Sequence, residues 1–248
     1  MPEIPMPEIA SVDWHSYAAV YDVMAENNPA YADLVNQFED AIALWPVRSG
    51  SVLADLGAGT GTFSLGLAEA FPSSRVVHLD ASSEMNRLAQ RKATARHLTN
   101  VTFATTDILD SPFEDESLAA IVTVHALYAF ARPREVISAM FAWLQPGGQI
   151  FACNPGRPPH VAEWAVYLAR ESLRRQGLWR TTRLLYRSRV VAQQNRMIAK
   201  AQRTGTYWTH TSGQFRAAFE SVGFQVHTAR TTYRGHSDLI IATKPPAA

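Results

Sequence analysis

The spacing of hydrophobic residues divides the chain into segments of different character. Between Trp14 and Trp45, apolar residues recur at the three- and four-residue intervals of amphipathic helices. The run Asn27-Asn28-Pro29 interrupts this pattern, because proline removes a backbone donor and restricts the residue before it. We therefore predict two helices here, and we assign residues 1–48 to an N-terminal tail and helical cap.

From Ser51 onwards, short apolar runs alternate with amphipathic stretches, which is typical of a parallel sheet with crossover helices. Predicted helices at residues 83–98 and 133–144 separate some of these runs, and the second helix ends at the turn Gln145-Pro146-Gly147-Gly148. The predicted strands are residues 51–55, 75–80, 101–104, 118–124 and 149–154.

The alternation stops after Pro155 and resumes near residue 210. Residues 156–209 have a helical pattern, with Gly177 as a predicted helix end, and we expect an insertion that forms a lid over the ligand site. Beyond it, Thr211-Ser212-Gly213-Gln214 fits a capping box, and predicted strands 224–233 and 239–244 form a hairpin across residues 235–238. The predicted fold is α/β, a Rossmann-like doubly wound, mostly parallel sheet. Its core comprises residues 49–155 and 210–248, with a C-terminal antiparallel hairpin, N-terminal helices and the helical insertion.

Composition agrees with one folded domain of this kind. Of the 248 residues, 47% are hydrophobic and 18% are charged, and a net charge of +1 gives no global argument for a nucleic-acid partner. The single cysteine, Cys153, cannot form an intrachain disulfide, and it is expected to be a buried strand residue. The N-terminus lacks a signal-peptide pattern, and no apolar run is long enough to span a bilayer. We therefore expect a cytoplasmic protein without a membrane partner.

A glycine-rich turn follows the first predicted strand. Gly57, Gly59 and Gly61 occur at every second position, whereas a dinucleotide fingerprint requires a third glycine at position 62, which is threonine. A phosphate-binding Gly-Lys-Ser/Thr sequence is also absent. Asp55 precedes the turn, and its charge would repel a pyrophosphate but could pair with an ammonium group. The turn therefore favours a zwitterionic nucleoside over a dinucleotide.

Two further acids follow the next two predicted strands. Asp80 lies where a carboxylate can accept hydrogen bonds from both hydroxyls of a ribose. Asp107 could accept from an adenine amino group, and Met85 and Ile108 could supply apolar faces for the adenine ring. The three acids at successive strand ends predict a nucleoside site.

These segments resemble the class I S-adenosylmethionine-dependent methyltransferases, especially the small bacterial ones that act on small molecules. The resemblance rests on residues 52–61, 79–85, 106–108 and 144–148, and it extends over residues 50–155 and 211–244. It implies S-adenosylmethionine as cofactor and S-adenosylhomocysteine as product. It also implies that Val124 and His125 border the methionine end of the cofactor and that Tyr17 and Tyr21 close over it. The expected cofactor residues are Tyr17, Tyr21, Asp55, Gly57, Ala58, Gly59, Gly61, Asp80, Ala81, Met85, Asp107, Ile108, Val124 and His125.

His125 is the candidate general base, because it follows a strand end facing the ligand crevice and imidazole titrates near neutral pH. The alternative is that its backbone lines the pocket while its ring only packs. No metal site is expected. The candidate acceptor-pocket residues are Tyr128, Asn154, His160, Tyr207, Trp208 and His210.

The insertion is strongly basic. Between Gly156 and Arg203 there are eleven arginines and lysines against two glutamates, a net charge of +9, which leaves −8 for the rest of the +1 chain. This asymmetry suggests an anionic small-molecule acceptor, an acidic partner surface or a homodimer contact, although solvated helix faces also explain basic runs. Three other functions stay open: an RNA methyltransferase, a cofactor-binding protein without transferase activity and, least favoured, an NAD-dependent oxidoreductase.

Overall fold

The computed structural model describes residues 14–111 and 113–246, except for the side chains of residues 15–17, 19, 20, 23, 24 and 187. In chain order the elements are α1 (Trp14–Asn27), α2 (Pro29–Ile42), β1 (Val52–Leu56), α3 (Thr62–Ala70), β2 (Arg75–Leu79), α4 (Ser83–Ala95), β3 (Val101–Ala104), β4 (Leu118–Val124), α5 (Pro133–Trp143), β5 (Leu144–Pro155), α6 (Val161–Gln176), α7 (Leu178–Arg187), α8 (Arg189–Arg203), α9 (Ser212–Glu220), β6 (Gln225–Thr232) and β7 (Ser237–Thr243).

The seven strands form one sheet in the order β3-β2-β1-β4-β5-β7-β6. Strands β1 to β5 pair in parallel, and β7 runs antiparallel to both β5 and β6. This arrangement confirms the predicted Rossmann-like α/β fold with a C-terminal antiparallel hairpin. The strand order reverses direction between β1 and β4, which is where ligands bind in open sheets of this type.

Helices pack on both faces of the sheet. On one face, Val136 and Met140 of α5 and Phe215 of α9 join a buried apolar cluster with the strands. On the other face, Phe38 of α2 and Phe63 of α3 pack with their rings 5.1 Å apart in a second cluster. Burial on both faces explains the nearly continuous apolar runs of the central strands.

Most predicted boundaries before residue 150 differ from the structure by a residue at most, but two differ by more. The segment 145–148 is not a free turn, because Gly147 N donates to Lys244 O and Lys244 N donates to Gly148 O, so β5 begins at Leu144 instead of residue 149. Helix α4 ends at Ala95, short of the predicted residue 98, because His97 adopts a left-handed φ of 56°. Non-local hydrogen bonds and one unusual dihedral decided these boundaries.

The C-terminal hairpin is tighter than predicted. β7 starts at Ser237 instead of residue 239, because Ser237 pairs with Pro155 on β5 and with Thr232 on β6. The predicted capping box at the start of α9 is confirmed, since the Thr211 hydroxyl accepts from Gln214 N and the Gln214 side chain accepts from Thr211 N.

The segment between β5 and α9 is helical, as predicted, and consists of α6, α7 and α8. Gly177, with φ of 77°, separates α6 from α7. Helix α1 contacts α2 and α4 as well as α7 and α8, so it connects the sheet-packing helices with the helical segment. No helix in residues 14–111 and 113–246 is both long and apolar enough to cross a membrane.

Candidate active site with two joined chambers

A cavity of about 620 Å³ lies at the carboxyl ends of β1, β2 and β4, and we call it the cofactor chamber. Its position is the sheet's switch point, where open α/β folds bind ligands. Most residues predicted for the cofactor line it. These are Tyr21, Asp55, Gly57, Ala58, Gly59, Asp80, Ala81, Met85, Asp107, Val124 and His125.

The glycine turn forms the floor of the cofactor chamber. Gly57 and Gly59 have φ of 68° and 56°, a region that side chains rarely adopt. A Cβ at Gly57 would lie 2.4 Å from Cβ of Ala126, whereas a Cβ at Gly59 would meet no described atom within 4 Å. Gly57 therefore permits close packing of the chain, and Gly59 leaves space open for a ligand.

The Asp80 carboxylate is fixed at the chamber wall by two backbone amides. Gly59 N donates to Oδ2 at 2.8 Å, and Ser82 N donates to Oδ1 at 2.8 Å. Burial raises the pKa of Asp80 above its usual value, although these two amides act in the opposite direction. Because a carboxylate has about four acceptor positions, Asp80 can still accept from two hydroxyl groups.

Asp55 is a buried carboxyl group with an unpaired oxygen. It is 1% exposed, and among the described residues its Oδ2 has no hydrogen-bond partner. Burial, with a smaller contribution from the charge of Asp80, raises the pKa of Asp55 to about 8. A buried charge without a partner is costly, so a cationic ligand group at this oxygen would be stabilising. Asp55 thus fits an ammonium group.

Two expected cofactor residues, Gly61 and Ile108, do not line the cofactor chamber. Gly61 is the N-cap of α3 and packs against α4, where an added Cβ would lie 2.9 Å from Cβ of Ala89. Ile108 is 4% exposed within the apolar core. The side chain of Tyr17 lies outside the described residues. Asp107 does line the chamber, and its carboxylate accepts from Leu109 N at 3.0 Å.

An ion-paired cluster fastens α1 to the glycine turn. Lys92 Nζ donates to Asp22 Oδ1 at 2.7 Å and to the Thr60 carbonyl at 2.9 Å, and the Thr60 hydroxyl donates to Asp22 Oδ1 at 2.6 Å. We call these three residues the α1 latch. The latch holds α1 across the cofactor chamber, which Trp14 and Tyr21 of α1 help to line.

A second, smaller cavity of about 140 Å³ adjoins the first, and we call it the acceptor chamber. Trp14, Tyr21, Tyr31 and His125 line both cavities and so form their junction. Burial raises the pKa of Tyr31 to about 12, which keeps its hydroxyl protonated at neutral pH. The other lining residues include Tyr128, Arg157, Trp164, Ile198, Gln202, Tyr233 and His236.

His125 is held rigidly at this junction. Its φ of 53° is unusual for a non-glycine residue, and its backbone N–H donates to the Cys153 carbonyl at 2.7 Å. The ring packs against Tyr233 at 4.7 Å, and its Nε2 lies 3.0 Å from the Ser237 hydroxyl and 3.8 Å from Cys153 Sγ. Burial lowers the pKa of His125 to about 4, so the imidazole is neutral at physiological pH.

Arg157 and Gln202 give the acceptor chamber a polar wall. Arg157 Nη2 donates to Asp238 Oδ1 at 3.1 Å and to Ser212 Oγ at 3.0 Å, and Gln202 Nε2 donates to the Pro155 carbonyl at 3.0 Å. Within the described ranges, Arg157 Nη1 and Gln202 Oε1 are buried without partners. Both side chains line the acceptor chamber, and each keeps one polar atom without a partner.

Asp238 binds Arg157 on the side away from the acceptor chamber, and His210 contacts Asp238 in turn. Burial alone would raise the pKa of Asp238, but hydrogen bonds from His210, Ser212 and Arg157 outweigh burial and lower it. The His210 ring lies between Asn154, 2.8 Å from Nε2, and Asp238, 3.4 Å from Nδ1. Asn154 Oδ1 also accepts from Tyr128 N at 2.9 Å.

Of the predicted acceptor residues, only Tyr128 lines the acceptor chamber. Asn154 and His210 lie behind its wall. Tyr207 packs edge-on against Tyr128 at 5.4 Å, and Trp208 packs against His210 and Phe215. His160 lies outside, with its ring 6.3 Å from that of His236. Residues 14–111 and 113–246 contain no group of three or more histidine, cysteine or acidic residues placed to hold a metal.

The sequence patterns did not single out most of the acceptor chamber. Arg157 was noted only as part of a basic segment, and Tyr31, Gln202 and Tyr233 were not noted at all. These residues come from α2, α8 and the β6–β7 connection, which are distant in sequence. The sequence feature that could have indicated an aromatic cavity is the number of aromatic residues in α1 and α2.

A family model described as "Methyltransferase domain" matches residues 53–148, which include the glycine turn, Asp55, Asp80 and Asp107. Residues 53–148 of the chain are therefore similar to a methyltransferase domain. A demethylmenaquinone methyltransferase of Thermus thermophilus is 34% identical over 115 residues, which are 46% of this chain and 52% of that protein. The chain thus spans about half the length of the curated relatives it matches.

Solved structures share the fold of this chain well beyond residues 53–148. A chain in the complex of the Haloferax volcanii Trm112 methyltransferase activator with a methyltransferase superposes with a TM-score of 0.65 at 19% identity, covering 96% of this chain and 99% of that one. Geranyl diphosphate C-methyltransferase from Streptomyces coelicolor, solved with S-adenosylhomocysteine, gives 0.58 at 15% identity, covering 84% and 78%. At these identities the likeness concerns the fold.

Proposed function

We propose that this protein transfers a methyl group from S-adenosylmethionine to a small molecule. The observation that carries the proposal is the junction of two chambers at His125, one lined by acids and glycines and the other by aromatic rings. The methyltransferase domain supports the choice of cofactor. An acceptor binding beside the cofactor at a fixed angle would gain much of its reactivity from alignment.

In this proposal each acid of the cofactor chamber holds one part of the ligand. Asp55 pairs with the ammonium group, Asp80 accepts from the ribose hydroxyls, and Asp107 lies on the adenine side with Met85 packing against the ring. When bound, S-adenosylmethionine would supply an electrophilic methyl group on a sulfonium. The open space at Gly59 and the unpaired Oδ2 of Asp55 are what such a ligand requires.

The proposed acceptor presents a single ring to the enzyme. The acceptor chamber, at about 140 Å³, is close in volume to engineered cavities of about 150 Å³ that bind benzene. Arg157 Nη1 and Gln202 Oε1 would be satisfied together by a hydroxyl or an acid group on that ring. Arg157 favours an anionic substituent, and Asp238 already balances part of its charge.

The proposal gives residues 156–209 the role of an acceptor lid, because Arg157, Trp164 and Gln202 line the acceptor chamber from this segment. The relatives are named for demethylmenaquinone. The family model ends at residue 148, before all of these lid residues, so the acceptor of the relatives is not transferred to this protein. We retain the cytoplasm as the proposed location.

His125 is the proposed proton acceptor or orienting group for the reacting atom. Its Nε2 lies 3.0 Å from Ser237 Oγ, and in the tautomer whose Nε2–H donates to Ser237, Nδ1 is the nitrogen left to accept from a bound acceptor. A neutral imidazole can accept a hydrogen bond from a hydroxyl and so align its oxygen with the methyl carbon. Because a pKa of about 4 makes His125 a weak base, alignment suits the ring better than removal of the proton.

The test is acceptor-dependent formation of S-adenosylhomocysteine. Purified protein would be incubated with S-adenosylmethionine and, in separate reactions, with phenols, hydroxybenzoates, hydroquinones and total RNA, with both products quantified by mass spectrometry. We expect equal amounts of S-adenosylhomocysteine and methylated single-ring acceptor. Methylated RNA alone would replace the proposal with an RNA methyltransferase. No product from any acceptor, together with tight cofactor binding, would favour a binding protein without transferase activity.

A further inference from the structure

Helix α7 exposes an unusual amount of apolar surface. Among the described residues, eight large hydrophobic side chains are exposed, and seven of them belong to α6, α7 and α8. Trp179 is 88% exposed, and Leu178 and Tyr186 are each 70% exposed. Trp179 and Tyr186 are seven residues apart and therefore point to the same side of the helix. Together with Leu185, these residues form what we call the α7 apolar strip.

The strip faces away from the protein body. Thr181 and Leu184 are the buried residues of α7, at 5% and 8% exposure, and the Thr181 hydroxyl donates to Ser172 Oγ of α6 at 2.9 Å. Helix α7 is thus anchored by a narrow inner face. Its outer, more apolar face contacts no described element strongly enough to bury it.

Basic residues flank the strip. Arg180 and Arg183 are exposed on α7, and Arg189 Cζ lies 5.1 Å from the centre of the Tyr186 ring. Residues 178–203 contain seven arginines and lysines and no acid. The charged side chains that α7 and α8 place beside the strip are therefore all basic.

We propose that the α7 apolar strip and its arginines dock on the surface of an anionic lipid bilayer. Exposed leucine and tryptophan side chains gain from an apolar medium, and arginines gain from phosphate groups. The boundary between acyl chains and anionic headgroups supplies both within a depth of about 5–10 Å. Such docking is peripheral, and it revises our expectation from the sequence that the protein has no membrane partner.

Other occupants fit the strip less well. A nucleic acid would neutralise the arginines, but it offers no apolar phase for Leu178 and Leu185. A protein partner requires about 800 Å² on each side, whereas the strip occupies one ten-residue helix that is about 15 Å long. The combination of aromatic and leucine side chains with purely basic borders is typical of interfacial helices.

The location of α7 gives this docking a consequence for the site. Helix α7 contacts α6 and α8, which contribute Trp164 and Ile198 to the acceptor chamber. A docked protein would therefore hold its acceptor lid beside the bilayer. The docking itself does not depend on the proposed methyl transfer.

The test is co-sedimentation of the full chain with vesicles of phosphatidylcholine alone or with about one third phosphatidylglycerol. We expect at least roughly tenfold stronger binding to the anionic vesicles and a loss of binding as salt rises. Trp179→Ala, Leu178→Ser and the double variant Arg180→Glu/Arg183→Glu should each weaken binding by at least about tenfold.

Matched controls come from exposed residues elsewhere. Leu44→Ser changes a leucine that is 85% exposed beyond α2, and Arg91→Glu/Arg134→Glu makes the same charge change on α4 and α5. Both controls should bind as wild type does, and all variants should keep the wild-type melting temperature. Equal losses in strip and control variants would overturn the inference. A wild-type dimer that forms without vesicles and that Trp179→Ala abolishes would also overturn the inference, because the strip would then be a protein interface.

Discussion

Asp55 is the residue on which the electrostatics of the cofactor chamber depend most. Its carboxyl group is buried on the central strand β1, and its Oδ2 lacks a partner among the residues that the structure describes. A pKa of about 8 means that much of the ligand-free protein holds Asp55 in its protonated form at neutral pH. A cationic ligand group would favour the ionised form, so ligand binding and proton release should be coupled.

We therefore predict that the affinity for S-adenosylhomocysteine depends on pH. Below the raised pKa of about 8, each unit of acidification should weaken binding by up to about tenfold, because the carboxyl group must lose its proton to pair with the ammonium. Calorimetric titrations at pH 8, 7 and 6 measure this slope. Asp55→Asn should bind weakly and with no slope. A wild-type affinity that does not change between pH 6 and pH 8 would contradict the coupling.

At His125, the prediction concerns turnover. Asn accepts left-handed backbone conformations better than most residues, so His125→Asn should preserve the φ of 53° while removing the imidazole. We expect kcat to fall by about 10²-fold, with the dissociation constant for S-adenosylhomocysteine within about threefold of wild type.

The pH profile of turnover tests whether His125 stays neutral at the junction. Because burial lowers the pKa of His125 to about 4, its neutral form persists above that value, and the wild-type rate should show no His125 limb between pH 5 and 8. Full activity of His125→Asn on the natural acceptor would show that the ring only packs at the junction.

At the scale of elements, the glycine turn between β1 and α3 needs left-handed backbone dihedrals and open space for a ligand. Gly59→Ala places a methyl group in this space, and it destabilises the fold by about 1 kcal/mol because alanine disfavours the left-handed region. We expect a small loss of Tm, roughly 2–4 °C, and a loss of cofactor affinity of at least about tenfold. Gly147→Ala is the matched control, because its φ of 79° imposes the same strain in open space at the remote end of β5. Similar affinities for the two variants would argue against a ligand at Gly59.

The α1 latch should control how long the cofactor stays bound. Asp22→Ala removes the acceptor shared by Lys92 and Thr60, so α1 should detach more easily from the glycine turn. We expect S-adenosylhomocysteine to dissociate at least about threefold faster in stopped-flow measurements, in line with the loss of a partly buried ion pair. Glu69→Ala removes a more exposed ion pair, with Arg96, and should leave the rate unchanged. Unchanged dissociation from Asp22→Ala would mean that the latch does not retain the ligand.

At the scale of the whole molecule, the sequence predicts those features that depend on residues close together in the chain, such as strands, helices and the residues at strand ends. Asp55 lies near the end of β1, and the glycine turn and Asp80 directly follow β1 and β2, so spacing places them at one edge of the sheet. The seven strands and the two N-terminal helices also followed from periodicity. The domain division at residues 156–209 and the ligand roles of the site residues stay predictions.

The acceptor chamber required the tertiary structure. Tyr31, Arg157, Gln202 and Tyr233 meet only because α2, α8 and the hairpin connection converge on the end of β5. No local spacing relates these residues. Conversely, Asn154 and His210 had plausible side chains for an acceptor site, but they form a buried network behind it. Residue type indicated chemistry, whereas only packing decided which groups reach the cavity.

The asymmetry of charge is also a property of the whole molecule. The +9 of the insertion faces solvent mainly on α6, α7 and α8, and Arg157 alone brings part of it into the acceptor chamber. The charge is thus better placed to act on an external surface than on a bound acceptor. This distribution separates the proposed bilayer docking from the proposed choice of substrate.

The most direct test of the central claim is a calorimetric titration of the full chain with S-adenosylhomocysteine, with NAD as the competing ligand. The two-chamber account predicts one molecule bound per chain, no heat with NAD, and loss of binding in Asp80→Ala, whose carboxylate the Gly59 and Ser82 amides hold in place. Binding of NAD without binding of S-adenosylhomocysteine, or equal affinity in Asp80→Ala, would contradict it.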